Sequence, residues 1–171
     1  ADLILAATAH TGMPLTHIWV THHHMDHIGG IPIVRARFPD VEIWASEIDA
    51  ARVPYVTRIV RDAEVVPFQD YHVNIFATPG HTRGAVSYWL HEETCVFVGD
   101  TLFDMGCGRL LEGNVVELWC SLELLSSLPY ETRVYCGHDY TRSNGRFACA
   151  FEPHNPIMRA RVEWAEDCYA R

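Results

Sequence analysis

Four histidines and one aspartate fall within the seven residues Thr21-His22-His23-His24-Met25-Asp26-His27, directly after the apolar run Ile18-Trp19-Val20. Imidazole nitrogen and carboxylate oxygen are good ligands for zinc, iron and manganese. Side chains of an extended segment alternate between faces, so His22, His24 and Asp26 are expected on one face, with His23 and Met25 pointing away. His27 breaks the alternation and requires a turn, which Gly29-Gly30 permits. Asp26 and His27 would then serve a second ion beside the one held by His22 and His24. The spacing H-x-H-x-D-H therefore suits two adjacent cations better than one. The run is internal and short, unlike a purification tag.

Two ions need more than four ligands. His81 in Pro79-Gly80-His81-Thr82, Asp100 after Gly99 and His138 after Gly137 complete a set of five histidines and two aspartates. A carboxylate has two oxygens and can bridge two cations, and Asp100 is the candidate for that. Two metals roughly 3.5–4 Å apart can share a hydroxide and stabilise charge on a reacting group. Asp26 and Asp100 are the catalytic candidates, expected to orient that hydroxide. Without cysteine in the set, harder metals are admitted besides zinc. The expected cofactors are two divalent metal ions, zinc first, with iron or manganese as alternatives. His10, His17, His72, His91 and His154 are read as surface histidines without a role.

The elements that must position these groups are legible in outline. Residues 1–12 read as a helix stopped at Gly12. Residues 17–21 read as a short buried strand running into the histidines. Pro32 suits the first turn of a helix reaching about Phe38. Val41 to Ala45 is a strand, and Ser46-Glu47-Ile48-Asp49 looks like the start of a helix ended by Pro54. Strands are expected over Val73 to Thr78, Ala85 to Leu90, Cys95 to Val98 and Val134 to Cys136. A helix is expected from Leu118 to Leu128. Another is capped by Asn155-Pro156, with Met158, Val162, Ala165 and Tyr169 as its apolar stripe. Strand after strand thus ends at His22, His81, Asp100 or His138, the pattern of ligands carried on loops by a rigid sheet.

The 171 residues suit a single domain with a real core. Their formal net charge of -9 is the wrong sign for a nucleic-acid binder. No apolar run of membrane-spanning length and no basic-then-apolar leader is present, so a cytoplasmic protein with no membrane partner is expected. The six cysteines include no C-x-x-C pair, and are read as buried reduced thiols.

The segment Thr21 to His27, with Pro79-Gly80-His81-Thr82, Gly99-Asp100 and Gly137-His138 in order, resembles the metallo-β-lactamase-like superfamily. Gly106-Cys107-Gly108-Arg109, Glu112-Gly113, Tyr135 to Thr141, Ser143-Asn144 and Arg146-Phe147-Ala148 narrow the resemblance to the hydroxyacylglutathione hydrolase (glyoxalase II) family. That resemblance implies an α/β (α+β) fold, an αββα four-layer sandwich over residues 1–171. About 141–171 would begin a C-terminal helical region, and the family's first strands and the end of that region would lie outside the chain. It implies His22, His24 and His81 on one metal, Asp26, His27 and His138 on the other, and Asp100 between them. Arg109 and Tyr140 would contact the glutathione part of the substrate, Arg109 because its fork suits a carboxylate. The implied reaction is hydrolysis of S-D-lactoylglutathione to D-lactate and glutathione by attack of metal-held hydroxide on the thioester, in a monomer or small homo-oligomer. Leu111, where the family often has an aromatic residue, and Asp139, where it usually has Glu, depart from the pattern. Asp139 leans toward a persulfide dioxygenase with one iron, the alternative reading beside another hydrolase of the same fold.

Overall fold

A computed structural model describes residues 1–170. Helix α1 (Asp2–Thr11) ends on Gly12, whose N–H caps the Thr8 carbonyl from a left-handed conformation. Strand β1 (His17–Trp19) leads into the histidine segment and a one-turn helix, α2 (Met25–Ile28). Helix α3 (Ile31–Arg37) carries Pro32 in its first turn, where a missing N–H costs nothing. Then come β2 (Glu42–Ser46), β3 (Arg58–Val60), β4 (Val65–Phe68), β5 (Tyr71–Ala77), β6 (Val86–Leu90) and β7 (Cys95–Gly99). A small hairpin, β8 (Leu102–Phe103) with β9 (Gly106–Cys107), precedes α4 (Val115–Ser126). Strand β10 (Arg133–Cys136) and helices α5 (Thr141–Phe151) and α6 (Pro156–Tyr169) complete the chain.

Strands β1, β2 and β3 form a parallel sheet in that order. The second sheet runs β10-β7-β6-β5-β4, antiparallel except for the parallel pair β10 and β7. Three apolar layers stack around the sheets. Ile28 and Ile31 pack with Ile43 and Ala45 on the outer face of the first sheet. Trp44 and Val60 meet Val73, Ile75, Val86 and Tyr88 between the sheets. Val96 and Val98 pack on Leu125 of α4 outside the second sheet. The order is therefore helix, sheet, sheet, helix, the αββα sandwich that the sequence led one to expect. Each fully buried Ile or Val side chain contributes roughly 1.5–3 kcal/mol to holding the layers together. Tyr88 keeps its hydroxyl satisfied in this core by donating to the Val20 carbonyl at 2.8 Å, at the base of the histidine segment.

Two expectations are corrected. The helix read at Ser46-Glu47-Ile48-Asp49 is a series of turns. The Ser46 hydroxyl donates to the Gly84 carbonyl at 2.6 Å and accepts from the Asp49 N–H, while the Asp49 carboxylate turns to the histidine segment. Nor are the cysteines generally buried. All six are free thiols, but only Cys95 is buried; Cys107, Cys120, Cys136 and Cys168 are exposed, because they lie on sheet edges and outward helix faces. Helix α4 starts earlier than read, because Asn114 and Glu117 close a reciprocal capping box there. The α6 stripe packs as expected: α6 lies along α5, with Ala165 buried and Val162 against Gly145. Among the described residues, no helix is long and apolar enough to cross a membrane.

Candidate metal centre

The site is built at one end of the sandwich. Strands β5, β7 and β10 run in the same direction, so their C-terminal ends deliver His81, Asp100 and His138 to the same edge. Strand β1 of the other sheet delivers the histidine segment to meet them. The two sheets are tied at this edge, where the Val86 N–H donates to the Thr21 carbonyl. Gly99 has φ 53, and a Cβ there would stand 2.7 Å from the Thr21 Cβ, so a side chain is excluded on both counts.

All seven residues singled out from the sequence come together. The His24 Nδ1 lies 3.1 Å from both His22 Nε2 and His81 Nε2. Asp26 Oδ2 lies 3.0 Å from His138 Nε2 and 3.7 Å from His27 Nε2. Asp100 stands between the groups, with Oδ1 3.3 Å from His27 Nε2 and Oδ2 at 3.6 Å from His81 Nε2 and 3.5 Å from His138 Nε2. The ligand atoms converge as three triads: His22, His24, His81; His22, His27, Asp100; and Asp26, His27, His138.

The segment is extended only over its first half. His22 and His24 point inward, and His23 points away. The chain then turns earlier than expected: His24 is the extended N-cap of α2, and Asp26 and His27 are neighbours on a helical turn. Gly29 and Gly30 are right-handed, so the turn is made by α2 and not by glycine conformation.

Protonation favours cation binding. Burial first, then the charge of His27, push His22 down to about 3, so this histidine is neutral at pH 7. Burial and the neighbouring His81 and His23 lower His24 as well. Burial pushes the Asp100 carboxyl up, but His27, His22 and His138 together outweigh it and hold it below its ordinary value. The His81 Nδ1–H donates to the Arg109 carbonyl at 2.8 Å, which leaves its Nε2 lone pair facing His24. One proton on His24 Nδ1 cannot serve both nitrogens beside it. His27 Nε2 and Asp100 Oδ1 are buried without any hydrogen-bond partner, and such orphans call for an explanation. A divalent cation between them satisfies both, so the donor set fits a divalent-metal site.

Arg109 and Tyr140 border a cavity beside these groups. This cavity, of about 350 Å³, is lined by His81, Asp100, Phe103, Cys107, Arg109 and Tyr140, among others. The Tyr140 ring stacks on His138 at 5.3 Å. Leu111 is exposed on the loop whose backbone N–H groups at Leu111 and Glu112 donate to the His81 carbonyl at 3.3 Å.

A metallo-beta-lactamase superfamily model matches residues 2–138. The chain belongs to the metallo-beta-lactamase superfamily. It is 42% identical to the hydroxyacylglutathione hydrolase of Maricaulis maris, over all of this chain and 66% of that protein. It spans less than two thirds of the length of the curated relatives it matches. Among solved structures, ETHE1 from Myxococcus xanthus is 37% identical with a TM-score of 0.71, over 81% of this chain and 60% of that one. TTHA1623 in a di-iron-bound form is 29% identical with a TM-score of 0.69, over 80% of this chain and 76% of that one.

Sequence reasoning missed the groups behind His23. Asp49, Arg52 and Glu112 form an ion network there; Glu112 stood out in the sequence only as part of the Glu112-Gly113 segment, and the Ser46-x-x-Asp49 spacing imitates a helix cap. Hydrogen bonds from Arg52 and the Arg83 N–H hold Glu112 down to about 2, against the opposing effect of burial. A carboxyl lowered on folding stabilises the protein above its unfolded pKa, and that stability is lost as pH falls toward the folded value. The window is therefore from about pH 4.5 down to about 2. Urea unfolding at pH 7, 4 and 2.5 should show that Glu112→Gln is destabilised at pH 7 and loses less on acidification than the wild type. Parallel losses in the two proteins would refute this role.

Proposed function

We propose that this chain carries the active site of a binuclear thioester hydrolase of the hydroxyacylglutathione hydrolase type. The observation that carries this reading is one cavity lined by His81 and Asp100 together with Arg109 and Tyr140. His22, His24 and His81 would hold one ion, Asp26, His27 and His138 the other, with Asp100 shared. Zinc suits this nitrogen-rich set, and iron and manganese are compatible with it. Ions held there would supply a nucleophile at neutral pH and Lewis-acid stabilisation of a carbonyl oxygen.

The chain's own groups do the rest. His22 enters neutral and has no proton to shed when an ion arrives. His81 is fixed in orientation and tautomer by the Arg109 carbonyl. Asp26 and Asp100 present carboxylate oxygens 3.0 and 3.5 Å from His138 Nε2 and would orient the attacking group. The exposed Arg109 offers a fork for a substrate carboxylate. Tyr140, stacked on His138, gives the substrate an aromatic wall and a hydroxyl. No protein nucleophile is required. The 42% identity to a hydroxyacylglutathione hydrolase supports the same substrate class.

The test is turnover of S-D-lactoylglutathione by zinc-, iron- and manganese-loaded protein, with the bound metal counted. Hydrolysis with two ions per chain is expected. No turnover at full loading would overturn the substrate, and oxygen uptake on glutathione persulfide with one iron would replace the reaction.

A further inference from the structure

His23, between two inward-facing histidines, is held by a network that the metal triads do not use. Its backbone N–H donates to Asp49 Oδ2 at 3.0 Å, and its Nδ1–H donates to the same oxygen at 3.1 Å. Asp49 is 1% exposed. Its other oxygen accepts from Arg52 at 2.5 Å. The second guanidinium nitrogen of Arg52 donates to Glu112 Oε1 at 2.7 Å and to His23 Nε2 at 3.0 Å. Glu112 lies three residues beyond Arg109, and its loop is bonded to His81: through the Leu111 and Glu112 N–H groups to the His81 carbonyl, and through the Arg109 carbonyl to the His81 ring.

Arg52 thus touches two carboxylates with different duties. Asp49 anchors the backbone between His22 and His24. Glu112 anchors the loop that carries Arg109 to the cavity. A planar guanidinium can bond both at once, while an ammonium on a flexible stem is a poorer bridge. We infer that Arg52 is a positioning residue that couples occupancy of the metal site to the placement of Arg109 in the substrate cavity. This rests on the function proposed above. Coupling between two sites is reciprocal, so a ligand in the cavity must tighten metal binding by the same factor as metal tightens the ligand.

The test measures Co(II) affinity by chelator competition, with and without S-methylglutathione, an unreactive thioether. Asp49 is interior, so the variants are placed on the partly exposed Arg52 and Glu112. For the wild type, S-methylglutathione should tighten Co(II) binding by about fivefold or more, the lower end of typical coupling. Arg52→Met and Glu112→Gln should each abolish that factor, and the double variant should lose no more than either alone. Arg52→Lys should keep part of it. Arg61→Gln, which breaks an exposed pair with Glu47, should keep all of it. An unchanged factor in Arg52→Met, or no factor in the wild type, overturns the coupling while the metal site stands. Failure of the wild type to bind Co(II) overturns the metal reading and this inference together.

Discussion

Asp100→Asn should abolish thioester hydrolysis, with activity falling by about 10³-fold or more and the bound metal falling from two ions per chain to one or none. The carboxylate lies within 3.6 Å of His27, His81 and His138, members of both outer triads. Removing a group that merely orients a ligand typically costs 10–100-fold in metal affinity or activity. A carboxylate facing both ions should exceed that range, because its charge offsets two cations at once and an amide supplies none. The substitution keeps the volume, so the packing around Thr101 and Gly99 should survive. Circular dichroism and a thermal melt of the metal-free variant should therefore stay near the wild type while elemental analysis shows the missing metal. A variant that holds two ions and turns over normally would refute the assignment of Asp100 as the shared ligand.

What the sequence disclosed, and what it concealed, follows from the range of each interaction. His22, His81, Asp100 and His138 could be matched to strand ends because apolar periodicity is local and each loop begins where it stops. The αββα layering was implied by the family resemblance, since the strand pattern alone assigns no layers. The turn at His24 was hidden. Extended alternation and one helical turn both keep His22 and His24 together, and only the hydrogen bonds from Ile28 and Gly29 to the His24 and Met25 carbonyls distinguish them. Asp49 was misread for a related reason. Ser-x-x-Asp is locally a helix cap, but the carboxylate has a stronger claimant 26 residues upstream, the His23 N–H and ring. The exposed cysteines reflect a similar limit. A run such as Val134-Tyr135-Cys136 is apolar, which suits a buried Cys136, yet β10 is the outer strand of its sheet and every residue in it is exposed. Periodicity shows that a strand exists; it does not show whether a neighbour covers it.

That exposed position of β10 makes Gly137→Ala the second large effect. Gly137 joins the strand to His138, and its N–H donates to the Gly99 carbonyl at 2.8 Å. Its backbone φ is not in the left-handed region, so alanine brings no conformational strain there. The obstruction is steric. An added Cβ would lie 2.7 Å from His27 Cε1 and closer still to Asp100 Oδ1. Both neighbours belong to the His22, His27, Asp100 triad, and both are packed on their other sides. The strand end can retreat more cheaply than they can, because β10 pairs only with β7 and has solvent beyond. Retreat carries His138 away from Asp26, its partner at 3.0 Å. Overpacking of this kind costs about 1–3 kcal/mol in a well-packed region, and the open edge places the expected loss at the lower end. The metal site has no such freedom, since ligand distances are tolerated within about 0.2 Å. Gly137→Ala should therefore retain its fold and one ion on His22, His24 and His81, lose the ion on Asp26, His27 and His138, and lose most hydrolysis. Metal counting against a melting curve separates the two effects. Two tightly held ions in a folded variant would mean that the ligand loop after β10 adapts, and that the close approach of Gly137 to Asp100 does not determine the second metal position.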